Sequence, residues 1–415
     1  MGMDKSALRA EVSRSVEDNE EDLVRITQEL IRTPSINPPG DYDAIAKKMF
    51  GFYQAEGLAP VIACASREEV EALELSYPRP NVIARVEGKN GSPVFCLDAH
   101  MDVVEPGDEN SWRFSPFGGE IHDGKIYGRG SEDTKCHLAA QLIALRAIKQ
   151  AGIELKGDLI LSATVDDEIG GWPGMGYLID KGFKEHGFKV PDYHIAGEPT
   201  GLETVGCLAR GRLWYEIVFR GVSAHGGNPK DGVNAIEKAI ALANAVRCYP
   251  IYTDPLMGSD TINLGILHGG EAINIVPGRC KITFDVRPAT DIEIFKRFME
   301  ETIQSLGKSD PDFIIESIRL LNDRQTGGIG PEHEFVKTVQ CVVREMTGIE
   351  VVPSGNMDGY SSLGNAYWTS MRGAAGLMYG GGDFQRAHSV DEYITIDELV
   401  EITKVFAALI VELCC

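Results

Sequence analysis

The chain has 415 residues, of which 43% are hydrophobic and 25% are charged, and its formal net charge at pH 7 is -22. This length and composition are typical of a folded globular protein with two domains, each able to bury its own core. The negative charge argues against nucleic acid or an anionic membrane as a partner, because binding either of them requires a basic surface.

Cysteine usage and the absence of long apolar runs favour the cytoplasm. The nine cysteines are scattered and include no C-x-x-C pair, so a disulfide framework and a zinc knuckle are both poor interpretations. No apolar run reaches the length of a signal peptide or of a membrane span, which needs roughly 18 residues. We therefore expect a cytoplasmic protein with no membrane contact.

The first part of the chain alternates helical and strand patterns. After an amphipathic helix near residues 23–31 and a proline-rich break, the pattern predicts buried strands over 93–100 and 158–165, with a helix over 137–152 between them. Strands separated by helices imply an α/β fold with a mostly parallel sheet covered by helices on both faces. Sites in such sheets lie at the carboxyl ends of strands.

The pattern changes near residue 206. A strand, a helix, two strands and another helix follow, with the helices near 231–247 and 290–306, as in a small α+β unit. The earlier pattern returns after residue 323, with helices predicted over 333–347 and 396–413. The chain therefore divides into a larger domain that is split in sequence and a domain inserted into it, with these expected bounds: 1–205 and 323–415 for the split domain, 206–322 for the inserted domain.

An apolar strand ends in the segment LDAHMDVV, which carries His100 and Asp102. Alternation places both side chains on the same side of an extended chain, so the carboxylate could fix the imidazole tautomer while the other ring nitrogen binds a metal. Taken alone, a structural role for this pair is equally reasonable. The next acid, Asp133, follows the glycine-rich segment IYGRGSE and would alone be read as a helix N-cap.

Three adjacent acids, Asp166, Asp167 and Glu168, follow the second buried strand. Because like charges repel, such a cluster at a strand end favours a bound cation over a solvated face. Glu198 follows a further short apolar strand, where a turn role is the alternative. His388 lies in a polar loop before the last helix, where a solvated loop histidine is the alternative.

Taken together, these side chains predict a hydrolytic metal site. Two imidazole nitrogens and three carboxylates suit one or two borderline ions such as zinc, manganese or cobalt, bridged by a carboxylate. Metal-bound water needs a group that takes its proton, and Asp167 is the natural candidate. The expected ligands are His100, Asp133, Glu168, Glu198 and His388.

The order of motifs along the chain resembles the metallohydrolase family of aminoacylase-1, acetylornithine deacetylase, succinyl-diaminopimelate desuccinylase and the glutamate-releasing carboxypeptidases. The motifs are HMDVV, WRFSPF, DGKIYGRGSEDTK, DDEIGG, GEPT, SAHGGNP, GGEAINIVP and AHSVDEY, and they span roughly residues 20–410. The resemblance implies a zinc-exopeptidase-like catalytic domain with the same five metal ligands. It also implies that Asp133 bridges two ions and that Asp102 orients His100.

This chain departs from the family pattern at two positions. The general base is normally Glu in the family, and the matching residue here is Asp167. Cys136 stands where Gly is common after the lysine of the motif; we interpret it as a small buried helix residue, although it could approach the bridging Asp133.

The inserted segment resembles the family's lid and dimerisation domain. His225 matches a histidine that reaches the partner subunit's site in relatives and stabilises the oxyanion there. Arg210, Asn274 and Arg287 match lid residues that hold a substrate carboxylate or help to close the site, although lid arginines could equally be surface residues. The resemblance thus implies a homodimer or a higher homo-oligomer.

We therefore predict a metal-dependent hydrolase that cleaves a C–N bond, most simply the amide of a small N-acyl amino acid or peptide-like carboxylate. One alternative is hydrolytic deamination of an electron-poor carbon, such as that of an activated aromatic amine, which the altered base at Asp167 keeps open. Another is a non-catalytic relative that retains the fold for binding or assembly; it would be marked by lost metal ligands, and none is lost here.

Overall fold

The computed structural model describes residues 4–355 and 364–415. Contacts between residues divide the chain into two compact units. The larger unit comprises the chain up to Cys207 and from Gly328 onward, and the inserted unit is Leu208–Gly327.

Helices and strands alternate along both units. The helices of the described residues are α1 (Lys5–Asp18), α2 (Glu20–Ile31), α3 (Asp43–Ala55), α4 (Arg67–Ala72), α5 (Lys135–Gln150), α6 (Phe183–Glu185), α7 (Ala235–Val246), α8 (Ile292–Ser309), α9 (Glu334–Thr347), α10 (Ala366–Ser370) and α11 (Ile396–Cys414). The strands are β1 (Val61–Cys64), β2 (Pro80–Val86), β3 (Val94–His100), β4 (Ile121–His122), β5 (Lys125–Tyr127), β6 (Asp158–Thr164), β7 (Tyr193–Ala196), β8 (Thr204–Gly206), β9 (Leu208–Ala209), β10 (Arg212–Arg220), β11 (Thr253–Asp254), β12 (Gly258–Ser259), β13 (Thr261–Gly269), β14 (Arg279–Arg287), β15 (Ile314–Arg324), β16 (Gly327–Gly328), β17 (Val352–Ser354), β18 (Ala375–Met378) and β19 (Tyr393–Thr395).

An eight-stranded sheet in the order β1-β2-β6-β3-β7-β18-β8-β17 forms the centre of the larger unit. Its middle strands β6, β3, β7 and β18 are parallel, whereas β1 and β2 join one edge antiparallel. Every residue of β3 and β6 is buried, because helices cover both faces; this explains why residues 94–97 and 159–161 are apolar without alternation. The predicted α/β class with a mostly parallel sheet is confirmed.

Two buried helices pack beside this sheet. The predicted helix over 137–152 is α5, and its burial on nearly all sides explains its Ala- and Leu-rich sequence. The last helix, α11, packs against α1 and α5, and it begins with a capping box in which Thr395 and Glu398 satisfy each other's backbone N–H groups. Among the described residues, no helix combines the length and the apolar character that crossing a bilayer requires.

The inserted unit has its own antiparallel sheet in the order β13-β14-β10-β15, with α7 and α8 packed on a buried core. The first of these helices was predicted from residue 231 but begins at Ala235, where the side chain of Asn234 accepts the N–H groups of Ile236 and Glu237. The sequence did not predict β15, because this edge strand is exposed or half-buried along its length and so lacks a clear alternation.

Candidate metal centre

Three parallel strands bring acidic and imidazole side chains to one edge of the main sheet. In the register of β3 and β6, His100 pairs with Thr164, which is followed by the acids 166–168. In the register of β3 and β7, Asp98 pairs with Ala196, which is followed by Glu198. The carboxyl ends of these neighbouring strands therefore deliver their side chains to the same place.

His100 is buried and faces two carboxylates. Its Nε2 lies 3.0 Å from Oδ1 of Asp133 and 4.0 Å from Oε1 of Glu198. Its Nδ1 lies 2.9 Å from the backbone oxygen of Asp102 and 3.5 Å from the carboxylate of that residue. The backbone carbonyl of Asp102 is therefore the closer group that can accept a hydrogen bond from Nδ1–H and fix the tautomer. The sequence had suggested that the carboxylate of Asp102 does this.

Asp133 stands between the two predicted metal-binding histidines. Its Oδ1 faces His100, and its Oδ2 lies 3.2 Å from Nε2 of His388. The same nitrogen of His388 lies 3.1 Å from Oε1 of Glu168. The turn before Asp133 requires glycine at residue 130, where φ is +84° and an added Cβ would lie 2.8 Å from the side chain of Val103.

Negative charge is concentrated and buried in this place. Burial, together with the charge of Asp133, raises the pKa of Glu168 to about 7. Burial and the charge of Asp167 raise the pKa of Glu198. Hydrogen bonds with Asp133 and Glu168 raise the pKa of His388 to about 10. Burial disfavours the ionised form of these carboxylates, so a nearby cation is needed for them to stay ionised together at neutral pH.

The donor atoms present fit divalent ions. The ligand atoms of His100, Asp133 and Glu168 all lie within 4.8 Å of one another, and so do those of His100, Asp167 and Glu198. Imidazole nitrogen with carboxylate oxygen is the donor combination that zinc, manganese and cobalt accept in proteins. The five predicted ligands thus come together, and Asp167 lies among them even though its side chain is one methylene shorter than that of Glu.

Asp166 differs from its two acidic neighbours. Its carboxylate forms a buried ion pair with Arg79, at 2.7 Å from Nε, and accepts a hydrogen bond from the hydroxyl of Tyr42 at 2.6 Å. Of the three acids whose clustering predicted a bound cation, Asp166 therefore has its positive charge supplied by an arginine of the chain itself.

Glu392 is a site residue that the sequence analysis did not single out. Its buried carboxylate accepts the backbone N–H groups of Glu132 at 3.1 Å and Asp133 at 3.2 Å, and it forms an ion pair with Arg129 at 2.5 Å. It thereby holds the turn of Asp133 to the segment of His388. Its place in the motif AHSVDEY was the available signal. Cys136, in contrast, is fully buried in α5, as its interpretation as a small helix residue requires.

In the inserted unit, His225 and Asn274 lie on adjoining segments. The N–H of Gly226 donates to the backbone oxygen of Asn274 at 2.7 Å, and an antiparallel bridge joins His225 to Ile275. Nδ1 of His225 accepts the N–H of Gly227 at 3.0 Å, so the neutral ring carries its hydrogen on Nε2. This exposed imidazole can therefore donate a hydrogen bond from Nε2.

Arg210 and Arg287 occupy a different part of the same unit. Arg287 forms a two-point ion pair with Asp285, at 2.6 and 2.9 Å. Arg210 is buried and donates to the backbone oxygen of Ser259, and burial together with the charge of Arg287 lowers its pKa. Both guanidinium groups are thus held in place by partners within the inserted unit.

The two pairs lie at opposite ends of the sheet. The segment of Asn274 leads into β14 at Arg279, and the same strand ends at Arg287. Eight residue steps in an antiparallel strand span about 27 Å. A small molecule therefore cannot contact both the pair His225 and Asn274 and the pair Arg210 and Arg287 of one chain.

Comparison with protein families gives a match over most of the chain. The model described as "Peptidase family M20/M25/M40" matches residues 96–412. Acetylornithine deacetylase of Pectobacterium carotovorum is 31% identical over 340 residues, which cover 79% of this chain and 81% of that protein. N-formyl-4-amino-5-aminomethyl-2-methylpyrimidine deformylase of Bacillus subtilis is 25% identical over 438 residues, which cover 97% of both proteins.

Solved structures show the same fold. Aminopeptidase PepT from Bacillus cereus superposes with a TM-score of 0.74 at 22% identity, covering 95% of this chain and 98% of that one. Human carnosine dipeptidase 1 superposes with a TM-score of 0.72 at 16% identity, covering 98% of both chains. At these identities the structural likeness supports the architecture.

Proposed function

The chain belongs to the peptidase family M20/M25/M40 and is a metal-dependent hydrolase of amide or peptide bonds, and from this premise we propose that it hydrolyses the amide of a small N-acyl amino acid or peptide-like carboxylate. The deacetylase and the deformylase to which it is similar are named for removing acyl groups, which favours an N-acyl substrate. The chain belongs to a hydrolase family, and all five predicted ligands lie together. It therefore does not fit the alternative of a non-catalytic relative that has lost metal ligands.

One observation carries the proposal: a single carboxylate, that of Asp133, faces His100 with one oxygen and His388 with the other. Each histidine is also near a further carboxylate, Glu198 or Glu168. This arrangement would hold two divalent ions on either side of Asp133. Bound ions of this kind polarise a carbonyl and lower the pKa of water towards neutrality.

The chain's own residues would supply the proton transfers. Asp167 lies beside His100 and Glu198, so its carboxylate would accept the proton of the attacking water and return it to the leaving amine. His225 would donate a hydrogen bond from Nε2 to the negative charge that develops on the carbonyl oxygen.

We propose that the complete site is formed by two chains. The distance between the two ends of the inserted unit prevents one chain from using both of its substrate-binding pairs on the same small molecule. A homodimer removes this conflict, because His225 and Asn274 of one chain can complete the site of the other. Higher homo-oligomers built from such dimers would serve equally.

The arginines would recognise the substrate carboxylate. Arg287→Ala should raise KM or reduce kcat/KM, and the lost binding free energy should be about 1–3 kcal/mol, the range for a charge-assisted hydrogen bond. Arg210→Ala should act in the same way. Replacing the substrate's carboxylate by an amide should reduce kcat/KM of the parent enzyme by a similar free energy. The same replacement should reduce kcat/KM of Arg287→Ala little further. Equal rates on both substrates would remove the carboxylate from the proposal.

Hydrolytic deamination is the second candidate, and the substitution of Asp for Glu at position 167 favours it. A shorter base shifts the position from which the proton is accepted, which would suit attack on a planar ring carbon. The same water attack would then release ammonia in place of a carboxylic acid and an amine.

A substrate panel tests these proposals. N-acyl amino acids, dipeptides and amino-aromatic acids should be assayed with added zinc, manganese and cobalt, with separate detection of free amine and ammonia. Hydrolysis of N-acyl amino acids supports the main proposal, ammonia release from an amino-aromatic acid supports the second, and full activity in metal-free protein contradicts both.

A further inference from the structure

A buried polar network lies behind the proposed metal centre, on the side of the chain's N-terminal helices. Its side chains are each at most 2% exposed, and they come from four separate parts of the sequence. The members are Asn37, Tyr42, Arg79, Asp102 and Asp166. With one cation and two carboxylates, the network contains more negative than positive charge, so each of its hydrogen bonds matters for holding that charge in place.

Arg79 is the centre of the network. Its Nε lies 2.7 Å from Oδ2 of Asp166, and its Nη1 donates to the backbone oxygen of Gly40 at 2.7 Å. The hydroxyl of Tyr42 donates to the other oxygen of Asp166 at 2.6 Å. The carboxylate of Asp166 is therefore held from both sides, and removal of either partner would leave a buried group poorly compensated.

The network reaches two of the proposed ligands. The side-chain amide of Asn37 donates both to Asp166, at 3.1 Å, and to Oδ2 of Asp102, at 3.0 Å. The same oxygen of Asp102 accepts the backbone N–H of Glu168 at 3.3 Å. Asp102 also contacts Nδ1 of His100 through its backbone oxygen. The path from Arg79 thus ends at one proposed ligand of each ion position.

The backbone at Asp166 needs such support. Asp166 has a φ of +63°, a left-handed conformation that costs free energy for a residue other than glycine. This conformation turns the chain sharply after β6, so that Asp166 points towards Arg79 while the side chains of Asp167 and Glu168 face the ligand cluster. Fixing Asp166 therefore fixes the direction of the two acids that follow it.

We propose that Arg79 is a positioning residue of the metal centre: by holding Asp166 in the left-handed turn, and through Asn37 the carboxylate of Asp102, it sets the places of Glu168 and His100. This inference rests on the proposed metal centre. A purely structural ion pair is the competing explanation. It would stabilise the fold without changing how tightly a correctly folded protein binds metal.

The test compares Tyr42→Phe and Arg79→Met with the control Arg146→Met. Arg146 also belongs to the larger unit and forms ion pairs with Asp22 and Glu56, but it contacts none of the network. Metal-free forms of each variant are titrated with Co²⁺, and binding is followed by the visible absorption of the ion and by equilibrium dialysis. Thermal unfolding of the metal-free forms gives the stability of each.

Tyr42→Phe should fold, because only a hydroxyl is removed, and it should bind Co²⁺ about 10-fold more weakly than the parent, within the range for loss of a residue that supports a ligand. Arg79→Met should show a larger loss and an altered Co²⁺ spectrum. Arg146→Met should lower the unfolding temperature but bind Co²⁺ within about twofold of the parent, since it touches no ligand. If Arg79→Met does not fold, Tyr42→Phe decides the question.

The inference is overturned if Tyr42→Phe binds Co²⁺ as the parent does, or if Arg146→Met loses affinity to the same extent, since the effect would then follow stability alone. A parent protein that binds no Co²⁺ would instead overturn the proposed metal centre. The two failures are therefore distinguishable within one titration series.

Discussion

Nδ1 of His100 lies closer to the backbone oxygen of Asp102, at 2.9 Å, than to the carboxylate of that residue, at 3.5 Å. A substitution cannot remove the backbone oxygen, so the imidazole tautomer should survive Asp102→Asn. We expect this variant to lose less than about tenfold in metal affinity, at the low end of the range for residues that support ligands. Competition with a fluorescent chelator measures this affinity, and a loss beyond a hundredfold would make the carboxylate the dominant partner.

The position of Asp133 between two histidines predicts unequal effects of removing ligands. Asp133→Ala should reduce the content of both ions, because both proposed positions share this carboxylate. His100→Ala and His388→Ala should each reduce the content by one ion, because each contacts a single position. Metal analysis after dialysis measures the stoichiometry. Loss of both ions in His388→Ala, with the fold intact by circular dichroism, would contradict two separable positions.

Metal binding should depend on pH. In the ion-free protein, hydrogen bonds to Asp133 and Glu168 raise the pKa of His388 to about 10, so its ring is protonated at neutral pH. An ion must displace that proton, so affinity should rise with pH by roughly tenfold per unit between pH 7 and 9 for one displaced proton. Below about pH 7, Glu168 also takes up a proton, which steepens the dependence.

Calorimetric titration of the metal-free protein in two buffers with different heats of ionisation counts the protons released. Burial lowers the pKa of His100, but hydrogen bonds with Asp102 and Asp133 outweigh it and raise that pKa well above its usual value. Filling both positions at pH 8 is therefore expected to release about two protons, one from each histidine. A release of none, with an affinity that is flat across this range, would show that His388 binds metal without giving up a proton and would contradict the electrostatic argument.

Asp167→Asn should lose about 10²- to 10⁴-fold in kcat, the contribution of a general base, because an amide cannot accept the proton. Its metal content should equal that of the parent. Asp167→Glu is the matched control and should keep the metals and recover much of the rate with an altered substrate preference. If Asp167→Asn loses one ion, Asp167 is a metal ligand and not only a base. Its closeness to His100 and Glu198 makes this the alternative to test.

His225→Ala should reduce kcat by about 10²- to 10³-fold, as expected for loss of an oxyanion donor, and should leave the metal content unchanged. Mixing it with an inactive Glu168→Ala variant should restore partial activity, since one site of each mixed dimer receives both intact groups. Subunit exchange is verified by mass spectrometry with one isotopically labelled chain. Exchange without recovery would assign His225 to the site of its own chain.

The strand ends explain which parts of the site could be predicted from the sequence. Four site residues lie at or just after the ends of buried strands: His100, Asp167, Glu168 and Glu198. The register of a parallel sheet then places them together, so the local pattern and the fold class were enough to predict that they are neighbours. Arg79 could not be found in this way. It precedes β2, far along the chain from Asp166, and its charge is neutralised through a tertiary contact that leaves no periodic signal.

The separate ends of the inserted unit show a second limit. The resemblance implied that His225 reaches the partner subunit's site, but the order of the motifs that carry His225, Asn274 and Arg287 does not give the length of the strand between them. The structure supplies that length, and with it a geometric argument for the proposed pairing of two chains. The edge strand β15 was missed because an exposed strand needs no regular apolar face.

The link between Glu392 and the turn of Asp133 has a consequence for biosynthesis. On the ribosome, the nascent chain emerges with β3 and Asp133 long before His388 and Glu392 have been synthesised. The inserted unit, in contrast, is one continuous segment with its own core, so it can complete its folding while the larger unit still lacks α11. Occupation of the proposed ion position beside His388 must therefore wait until the last segment docks against residues made hundreds of codons earlier.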